Sequence, residues 1–246
     1  MTNPLAIDIT SVTHRFGSTT ALADVSATIR SGTITGLVGR NGAGKTTLAT
    51  LIAAWQPLQS GAIEIGGQPV WENSDRTSRV CLMKDTGGFL EDQRIKHSLR
   101  VHQVARPNWD QDYLMRLLEL FDVPIKKSPE KLSTGKRSAL RASVALASRS
   151  EVTILDEVYL GMDAVARRLF YDELMADYIA HPRTIVLSSH LLDEVEDLME
   201  DVIVLDRGRV MAAGETDAVR QQHSTGESLA SLTDVLVQIS TDGASR

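Results

Sequence analysis

The feature that most constrains this chain is a glycine-rich run, Gly39-Arg40-Asn41-Gly42-Ala43-Gly44-Lys45-Thr46, placed between an apolar segment and a helical one. Glycines let the backbone turn tightly and point N–H groups inward, and the helix that follows favours an anion at its N-terminus. Lys45 adds a positive charge for β- and γ-phosphates, and Thr46 offers a hydroxyl to Mg²⁺. The run therefore predicts a loop that holds the phosphates of a nucleoside triphosphate.

Composition places the chain among ordinary globular proteins. It has 246 residues, a net charge of −6 and 42% hydrophobic residues, which excludes disorder over most of its length. The acidic balance argues against a nucleic-acid partner. Cys81 is the single cysteine, so we expect no intrachain disulfide and a reducing compartment. The first nine residues show no secretory signal, and no window approaches the roughly 18 apolar residues of a membrane-spanning helix.

The alternation of patterns along the chain predicts the fold class. Residues 33–38 form a compact apolar run typical of a buried strand, and strand-like and helix-like segments alternate again after residue 150. Such alternation predicts a mostly parallel sheet with crossover helices. Between them, residues 86–147 carry helical periodicity without strand patterns, which predicts a helical insert.

A second motif, residues 152–157, is an apolar strand that ends in Asp156 and Glu157. Phosphate-loop enzymes need a carboxylate at the end of a neighbouring strand for Mg²⁺. Asp156 suits that role, and Glu157 can point at the attacking water. Alone, such a strand end is weak evidence; downstream of a phosphate loop it becomes strong.

Further motifs carry a resemblance to the ABC-type ATPases. Leu132-Ser133-Thr134-Gly135-Lys136 is similar to the family's signature motif, and residues 155–163 resemble its Asp-Glu strand and the D-loop that ends at Asp163. His190 matches the family's switch histidine, and Phe16 sits where the family places an aromatic that stacks on adenine. The resemblance covers about residues 5–220. The segment 107–110 resembles the bacterial subgroup whose cassettes partner exporter-type permeases.

The resemblance implies an α/β fold: a P-loop NTPase core with a mostly parallel sheet, an N-terminal antiparallel β subdomain and a helical insert. It implies one domain over residues 1–246. The nucleotide-binding core is expected at about 1–85 and 148–222, the helical subdomain at about 86–147, and a tail helix within 223–246.

The resemblance also assigns roles to residues. Glu157, His190 and Lys45 would act in catalysis. Thr46, Asp156 and Asp85 would serve the metal, Mg²⁺. ATP would contact the following residues: Phe16, Gly39, Asn41, Gly42, Ala43, Gly44, Lys45, Thr46, Thr47, Ser133 and Gly135. Ser133 and Gly135 would touch the ATP held by a second subunit in a head-to-tail dimer.

Four positions depart from the family pattern. Asp85 stands where the family usually has Gln at the start of a coupling loop, Thr134 and Lys136 replace Gly and Gln in the signature, and Val158 replaces Pro. Asp85 is expected to lie near Mg²⁺; the alternative is that it caps a turn.

The implied function is the ATP-hydrolysing subunit of a membrane ABC transporter, cytoplasmic and peripheral on the inner face of the membrane. Its partners would be transmembrane permease subunits and a second ABC ATPase subunit, identical or different, with no nucleic acid. The alternatives are a soluble ABC-type ATPase that acts mechanically on a protein or nucleic acid, and a degenerate subunit that only regulates.

Two surface features complete the predictions. A group of basic residues predicts a solvated helix face or, alternatively, a face near the acidic cytoplasmic leaflet beside the permease: Arg94, Lys96, His97, Arg100, His102 and Arg106. An apolar stripe near the end of the chain, Leu229, Leu232, Val235, Leu236 and Ile239, predicts one short helix that packs on the core or, alternatively, contacts a partner.

Overall fold

A computed structural model describes residues 4–224 and 228–242. In chain order the strands are β1 (Ile7–Phe16), β2 (Thr19–Ile29), β3 (Ile34–Val38), β4 (Ser60–Ile65), β5 (Gln68–Pro69), β6 (Val80–Lys84), β7 (Val152–Asp156), β8 (Thr184–Ser189), β9 (Asp201–Asp206) and β10 (Arg209–Glu215). The helices are α1 (Lys45–Ile52), α2 (Ser74–Thr77), α3 (Ile95–Ala105), α4 (Gln111–Leu120), α5 (Thr134–Ala147), α6 (Ala164–Ala180), α7 (Leu192–Val195), α8 (Thr216–Gln222) and α9 (Leu232–Asp242). Short 3₁₀ turns lie at Pro129–Lys131 and Glu196–Leu198.

The chain divides into two compact units. Among the described residues, we call the first the phosphate-loop unit, formed by residues 4–77, 184–224 and 228–242, and the second the helical unit, formed by Ser78–Arg183. The predicted core, helical subdomain and tail boundaries stay predictions. Parts of the predicted core and tail lie outside the described residues, namely residues 1–3, 225–227 and 243–246.

The phosphate-loop unit contains an antiparallel sheet and a set of mainly parallel strands. The antiparallel sheet has the order β2-β1-β4-β5, and its alternating side chains bury Ile7, Ile9 and Val12. In the second set β3 pairs in parallel with β8 and β9, and β10 pairs antiparallel with β9. Every residue of β3, β8 and β9 is buried, which is typical of parallel strands covered on both faces.

The helical unit joins a parallel strand pair to the predicted helices. β6 and β7 pair in parallel, and α3, α4 and α5 lie between them in sequence. α5 packs against α4, α6 and both strands, and it is buried continuously from Ser138 to Ala147. The predicted α/β class, with an antiparallel sheet, parallel strands and a helical insert, is confirmed.

Three local expectations need correction, and one helix was not predicted. The apolar pattern over residues 191–199 predicts a single helix, but the structure breaks it into α7 and a 3₁₀ turn, with Val195, the last residue of α7, at φ −128°. A short helix, α8, precedes the predicted tail helix. That tail helix begins at Leu232, so Leu229 lies outside it and is 44% exposed. Finally, the basic face is not fully solvated, because His102 and Arg106 are partly buried.

The tail helix packs on its own unit. Leu232, Val235 and Ile239 are buried, and α9 contacts α7, α8 and β9. The backbone N–H of Leu232 donates to Glu196 Oε2 at 2.8 Å. Three of the five stripe residues are therefore buried in the core of this unit, as the first alternative predicts.

Across the described residues, none of the helices combines the length and the apolar character needed to cross a membrane.

Candidate functional site

The glycine-rich run forms a loop from the end of β3 to the start of α1. Gly39 must lack a side chain, because a Cβ there would lie 2.4 Å from the carbonyl oxygen of Leu205. Gly44 caps α1 at φ +107°, and its Cβ would lie 2.7 Å from the carbonyl oxygen of Ala21. Close packing and a positive φ thus both require glycine, as the sequence predicts.

Neighbouring strands brace this loop from outside. The N–H of Gly208, in the turn between β9 and β10, donates to the carbonyl of Ala43 at 3.0 Å. The carbonyl of Gly208 in turn accepts the N–H of Ala23 in β2 at 2.8 Å. The loop is therefore held by both sheets of its unit, which favours a preformed binding site.

Lys45 and Thr46 open α1 at the mouth of the loop. The Lys45 side chain is buried, and its Nζ donates to the carbonyl of Gly39 at 2.7 Å. Thr46 is exposed on the first turn, and Asn41 and Gly42 are also exposed. A held ammonium, a helix N-terminus and an accessible hydroxyl together fit the phosphates of a nucleoside triphosphate and an accompanying cation.

His190 and Phe16 belong to the same unit as the loop. β3 and β8 pair with Val38 opposite Ser189, so Gly39 and His190 both follow the carboxyl ends of adjacent parallel strands. His190 is exposed there. Phe16 ends β1 with half of its surface exposed, and the buried His14 ring contacts it edge-on, with centroids 4.8 Å apart. An exposed aromatic ring that a buried neighbour holds in place can stack on a flat ligand.

The helical unit brings three predicted carboxylates to the end of its strand pair. Asp156 is the buried last residue of β7, and Glu157 follows it in the left-handed region at φ +54°. Lys84 of β6 lies opposite Asp156, and the N–H of Asp85 donates to the Asp156 carbonyl at 3.1 Å. Left-handed backbone is unfavourable for a non-glycine residue, so the turn at Glu157 stores strain where function is predicted.

The signature motif forms the start of α5. Ser133 is the N-cap, and its Oγ accepts the N–H of Lys136 at 3.3 Å. Gly135 passes close to the D-loop, since a Cβ there would lie 2.9 Å from the carbonyl oxygen of Gly161. Asp163 caps α6 by accepting the N–H of Ala166 at 2.8 Å.

Lys136, which replaces the family's Gln, has a partner within the unit. Its Nζ lies 2.5 Å from Asp122 Oδ2, and this hydrogen bond holds the pKa of Asp122 below its ordinary value.

The site residues are divided between the two units. Phe16, residues 39–47 and His190 belong to the phosphate-loop unit; Asp85, Ser133, Gly135, Asp156 and Glu157 belong to the helical unit.

Sequence reasoning did not single out Arg141, and it named His102 only as one member of the basic helix face. Arg141 is buried on α5 and donates through Nε to the carbonyl of Gly87 at 3.2 Å. The available signal was a basic residue within a run of small and apolar ones, residues 138–147. His102 Nε2 lies 2.7 Å from the carbonyl oxygen of Gly88; as a residue on a basic helix face, it carried no comparable signal.

In the described part of the chain, no three histidine, cysteine or carboxylate side chains come together as a metal-binding group. The oxygens of Thr46, Asp156 and Asp85 are nevertheless of the type that Mg²⁺ prefers, and this ion usually keeps waters and substrate phosphates among its ligands. By its chemical type alone, each of these oxygens therefore suits a cation that arrives with a nucleotide.

Comparison with known proteins identifies the family. The family model described as "ABC transporter" matches residues 22–159, more than half of the chain. The chain therefore belongs to the ABC transporter family, as a nucleotide-binding subunit.

Curated relatives agree with this assignment. The chain is 28% identical over 218 residues to the ABC transporter ATP-binding protein YtrB of Bacillus subtilis, covering 88% of this chain and 74% of YtrB. It is 28% identical to the Nod factor export ATP-binding protein I of Rhizobium sp., covering 89% of this chain and 74% of that protein. It is 30% identical to the sulfate/thiosulfate import ATP-binding protein CysA of Ralstonia nicotianae, covering 90% and 62%.

Solved structures share the fold. The ATP-binding subunit of an ABC transporter superposes with a TM-score of 0.83 at 24% identity, over 95% of this chain and 99% of that one. A bacterial Atm1-family ABC exporter with ATP bound superposes with a TM-score of 0.79 at 17% identity, over 100% of this chain and 43% of that one. Both support the ABC ATPase fold.

Proposed function

We propose that this chain binds and hydrolyses Mg-ATP to power a membrane transporter. The observation that carries the proposal is the braced phosphate loop with Lys45 at its mouth, in a chain that belongs to the ABC transporter family. The curated relatives are named as ATP-binding proteins of export and import systems, which leaves the direction of transport open.

The roles of individual residues follow from their chemistry. Residues 39–47 bind the phosphates, with Lys45 supplying charge, and the exposed Phe16 ring stacks on adenine. Thr46, Asp156 and Asp85 would hold Mg²⁺, which neutralises phosphate charge when bound. Glu157 accepts a proton from the attacking water, and His190 contacts the γ-phosphate.

We further propose that two such subunits work head to tail. Ser133 and Gly135 of one subunit cap the ATP held by the other, because the N-terminus of α5 favours an anion and Ser133 exposes its hydroxyl there. The second subunit is either an identical chain or a different ABC ATPase. Hydrolysis then separates the subunits and moves a permease.

The proposed location follows from these partners: cytoplasmic, peripheral on the inner face of the membrane, beside transmembrane permease subunits. The net charge of −6 gives no electrostatic attraction to nucleic acid, so none is proposed as a partner. Co-purification from native membranes tests this point. A co-eluting polytopic membrane protein supports the transporter, whereas a soluble protein or nucleic acid as the co-eluting partner contradicts it.

The phosphate-loop assignment has a direct test. Lys45→Ala removes a charge-assisted contact, so ATP affinity should fall roughly tenfold to a hundredfold. Calorimetric titration with ATP measures this, and Lys96→Ala, which removes an exposed lysine of α3, is the control. Equal affinities in Lys45→Ala and wild type would contradict the assignment.

A further inference from the structure

Arg141 faces a cavity of about 370 Å³ in the helical unit. The loop of residues 85–91, the first turns of α5, and Leu160 with Gly161 line this cavity. Arg141 lies two turns into α5, counted from the signature residue Ser133. The cavity therefore separates the predicted coupling loop from the helix that begins at the signature.

The Arg141 guanidinium is buried with few partners. Its side chain is 8% exposed, and in the described residues its N–H groups have one hydrogen-bond acceptor, the carbonyl of Gly87 at 3.2 Å. Glu91 Oε1 is 3.9 Å from Nη2. Burial, and to a smaller extent the positive charge of Arg137, lower the pKa of Arg141, while the charges of Glu91 and Asp85 oppose that effect. Nε of Arg141 is thus committed to the Gly87 carbonyl, while the rest of the guanidinium faces the cavity.

The loop itself is attached at several points. The N–H of Asp85 donates to Asp156 at the end of β7, and the N–H of Leu90 donates to Ser98 Oγ at 2.9 Å. Between these points Gly87 and Gly88 take φ values of +77° and +83°, and a Cβ at Gly87 would meet nothing within 4 Å. Among the described residues, Arg141 supplies the side-chain hydrogen bond from α5 to this stretch.

We propose that Arg141 is a positioning residue that ties the loop of residues 85–91 to the signature helix and so holds Asp85 at the end of β7. The proposal rests on the proposed ATP hydrolysis for its catalytic consequence, because Asp85 and Ser133 receive their roles there. The tie itself is a property of the chain without nucleotide.

Two substitutions separate the hydrogen bond from the bulk of the side chain. Glutamine places its amide nitrogen where arginine has Nε, whereas methionine places a methyl group there. Arg141→Met should raise amide exchange in residues 85–91 about tenfold, lower kcat about tenfold and leave KM for ATP within about threefold. Arg141→Gln should restore both exchange and kcat to within about threefold of wild type.

Arg137→Met is the matched control. Arg137 lines the same cavity one turn earlier, and its side chain makes no hydrogen bond or ion pair within the described residues. It should leave exchange and kcat unchanged. If Arg141→Met does not fold, as judged by thermal unfolding, Arg141→Leu takes its place under the same criteria.

The outcomes are distinguishable. The positioning role would be overturned if Arg141→Met showed wild-type amide exchange and kcat. It would also be overturned if Arg137→Met lost as much as Arg141→Met, or if Arg141→Gln recovered neither quantity. A wild-type protein that hydrolyses no ATP would instead contradict the proposed function, and the exchange comparison would still decide whether Arg141 holds the loop.

Discussion

At the scale of single residues, the signature and the D-loop are packed so closely that side-chain atoms decide which residues fit. Gly161 has φ +86°, and a Cβ there would lie 2.5 Å from Cγ2 of Thr134. Thr134 occupies the position where the family usually has glycine. The methyl group of Thr134 therefore fills space that Gly161 leaves open. The effects of substitutions at these two positions on stability are expected to depend on each other.

Gly161→Ala should lower the free energy of unfolding by about 2–3 kcal/mol, since it adds a steric clash to the strain of a left-handed backbone. Gly67→Ala is the control: φ is +71° and a Cβ would meet nothing within 4 Å, so about 1 kcal/mol is expected. Urea denaturation measures both. Thr134→Ser removes Cγ2. Added to Gly161→Ala, it should restore the stability that this variant loses beyond the loss in Gly67→Ala, and no such restoration would contradict the clash.

At the scale of elements, α3 holds the loop of residues 85–91 through an imidazole. His102 Nε2 lies 2.7 Å from the carbonyl oxygen of Gly88, and the ring packs against Phe89 with centroids 5.2 Å apart. Burial first, and then the charge of Arg106, lower the pKa of His102 to about 4, although the hydrogen bond to Gly88 opposes the shift. The folded protein thus favours the neutral imidazole.

This shift makes stability depend on pH. His102 takes up its proton near pH 6.5 in the unfolded chain and near pH 4 in the folded one. Its neutral form therefore contributes fully to the free energy of unfolding above about pH 6.5, and this contribution is lost as the pH falls towards 4. Wild type should lose about 2 kcal/mol from this group between about pH 7.5 and 5. Urea denaturation should show that His102→Gln removes this loss while His97→Gln, on the same helix, retains it. The same loss in His102→Gln would contradict the assignment.

A second element-scale feature joins the ends of α5 and α6. Asp177, 5% exposed on α6, accepts hydrogen bonds from Arg149 Nη1 and, at 2.6 Å, from Arg183 Nη2. Arg149 also reaches Asp110, the N-cap of α4, at 3.0 Å. Asp177 and Asp110 together thus balance the charges of Arg149 and Arg183, and Arg149 links α6 to the start of α4.

Asp177→Asn should destabilise the fold by about 3–5 kcal/mol, because it leaves the buried Arg183 guanidinium without its carboxylate and Arg149 with Asp110 alone. Asp172→Asn is the matched control on the same helix. Asp172 pairs with Arg168 at 3.0 Å, but both side chains are more than half exposed, so a change within about 0.5 kcal/mol is expected. Thermal or urea unfolding decides; similar losses in both variants would contradict the structural role of Asp177.

At the scale of the whole molecule, the proposed roles are divided between two compact units and, by proposal, between two subunits. The phosphate loop belongs to one unit, whereas Glu157 and the signature belong to the other. The proposed dimer makes ATP the group that links subunits, so blocking hydrolysis should stabilise their association.

Glu157→Gln should retain Mg-ATP binding but slow hydrolysis a hundredfold or more, because a neutral amide cannot accept a proton from water. Gel filtration with ATP should then show a dimer for Glu157→Gln and mostly monomer for wild type. Glu119→Gln is the control, since Glu119 is an exposed glutamate on α4. A monomeric Glu157→Gln with a normal ATPase rate would exclude the shared-site dimer.

Much of the fold could be predicted from the sequence, because its signals are local. Glycines at 39 and 44 mark the loop, apolar runs mark β3 and β7, and Ser133 marks the start of α5. Each depends on a few consecutive residues, so the predicted site positions lie in the elements expected for them.

Other features depended on contacts between distant segments, and the tertiary structure decided them. The helix expected over 191–199 breaks where Glu196 accepts the N–H of Leu232 and Asp193 accepts the hydroxyl of Thr233. His102 turns inward because Gly88 offers a carbonyl. Arg141 is buried because Gly87 and Glu91 lie across a cavity from α5. A local pattern states which residues share a helix face, whereas burial and pairing depend on what packs against that face.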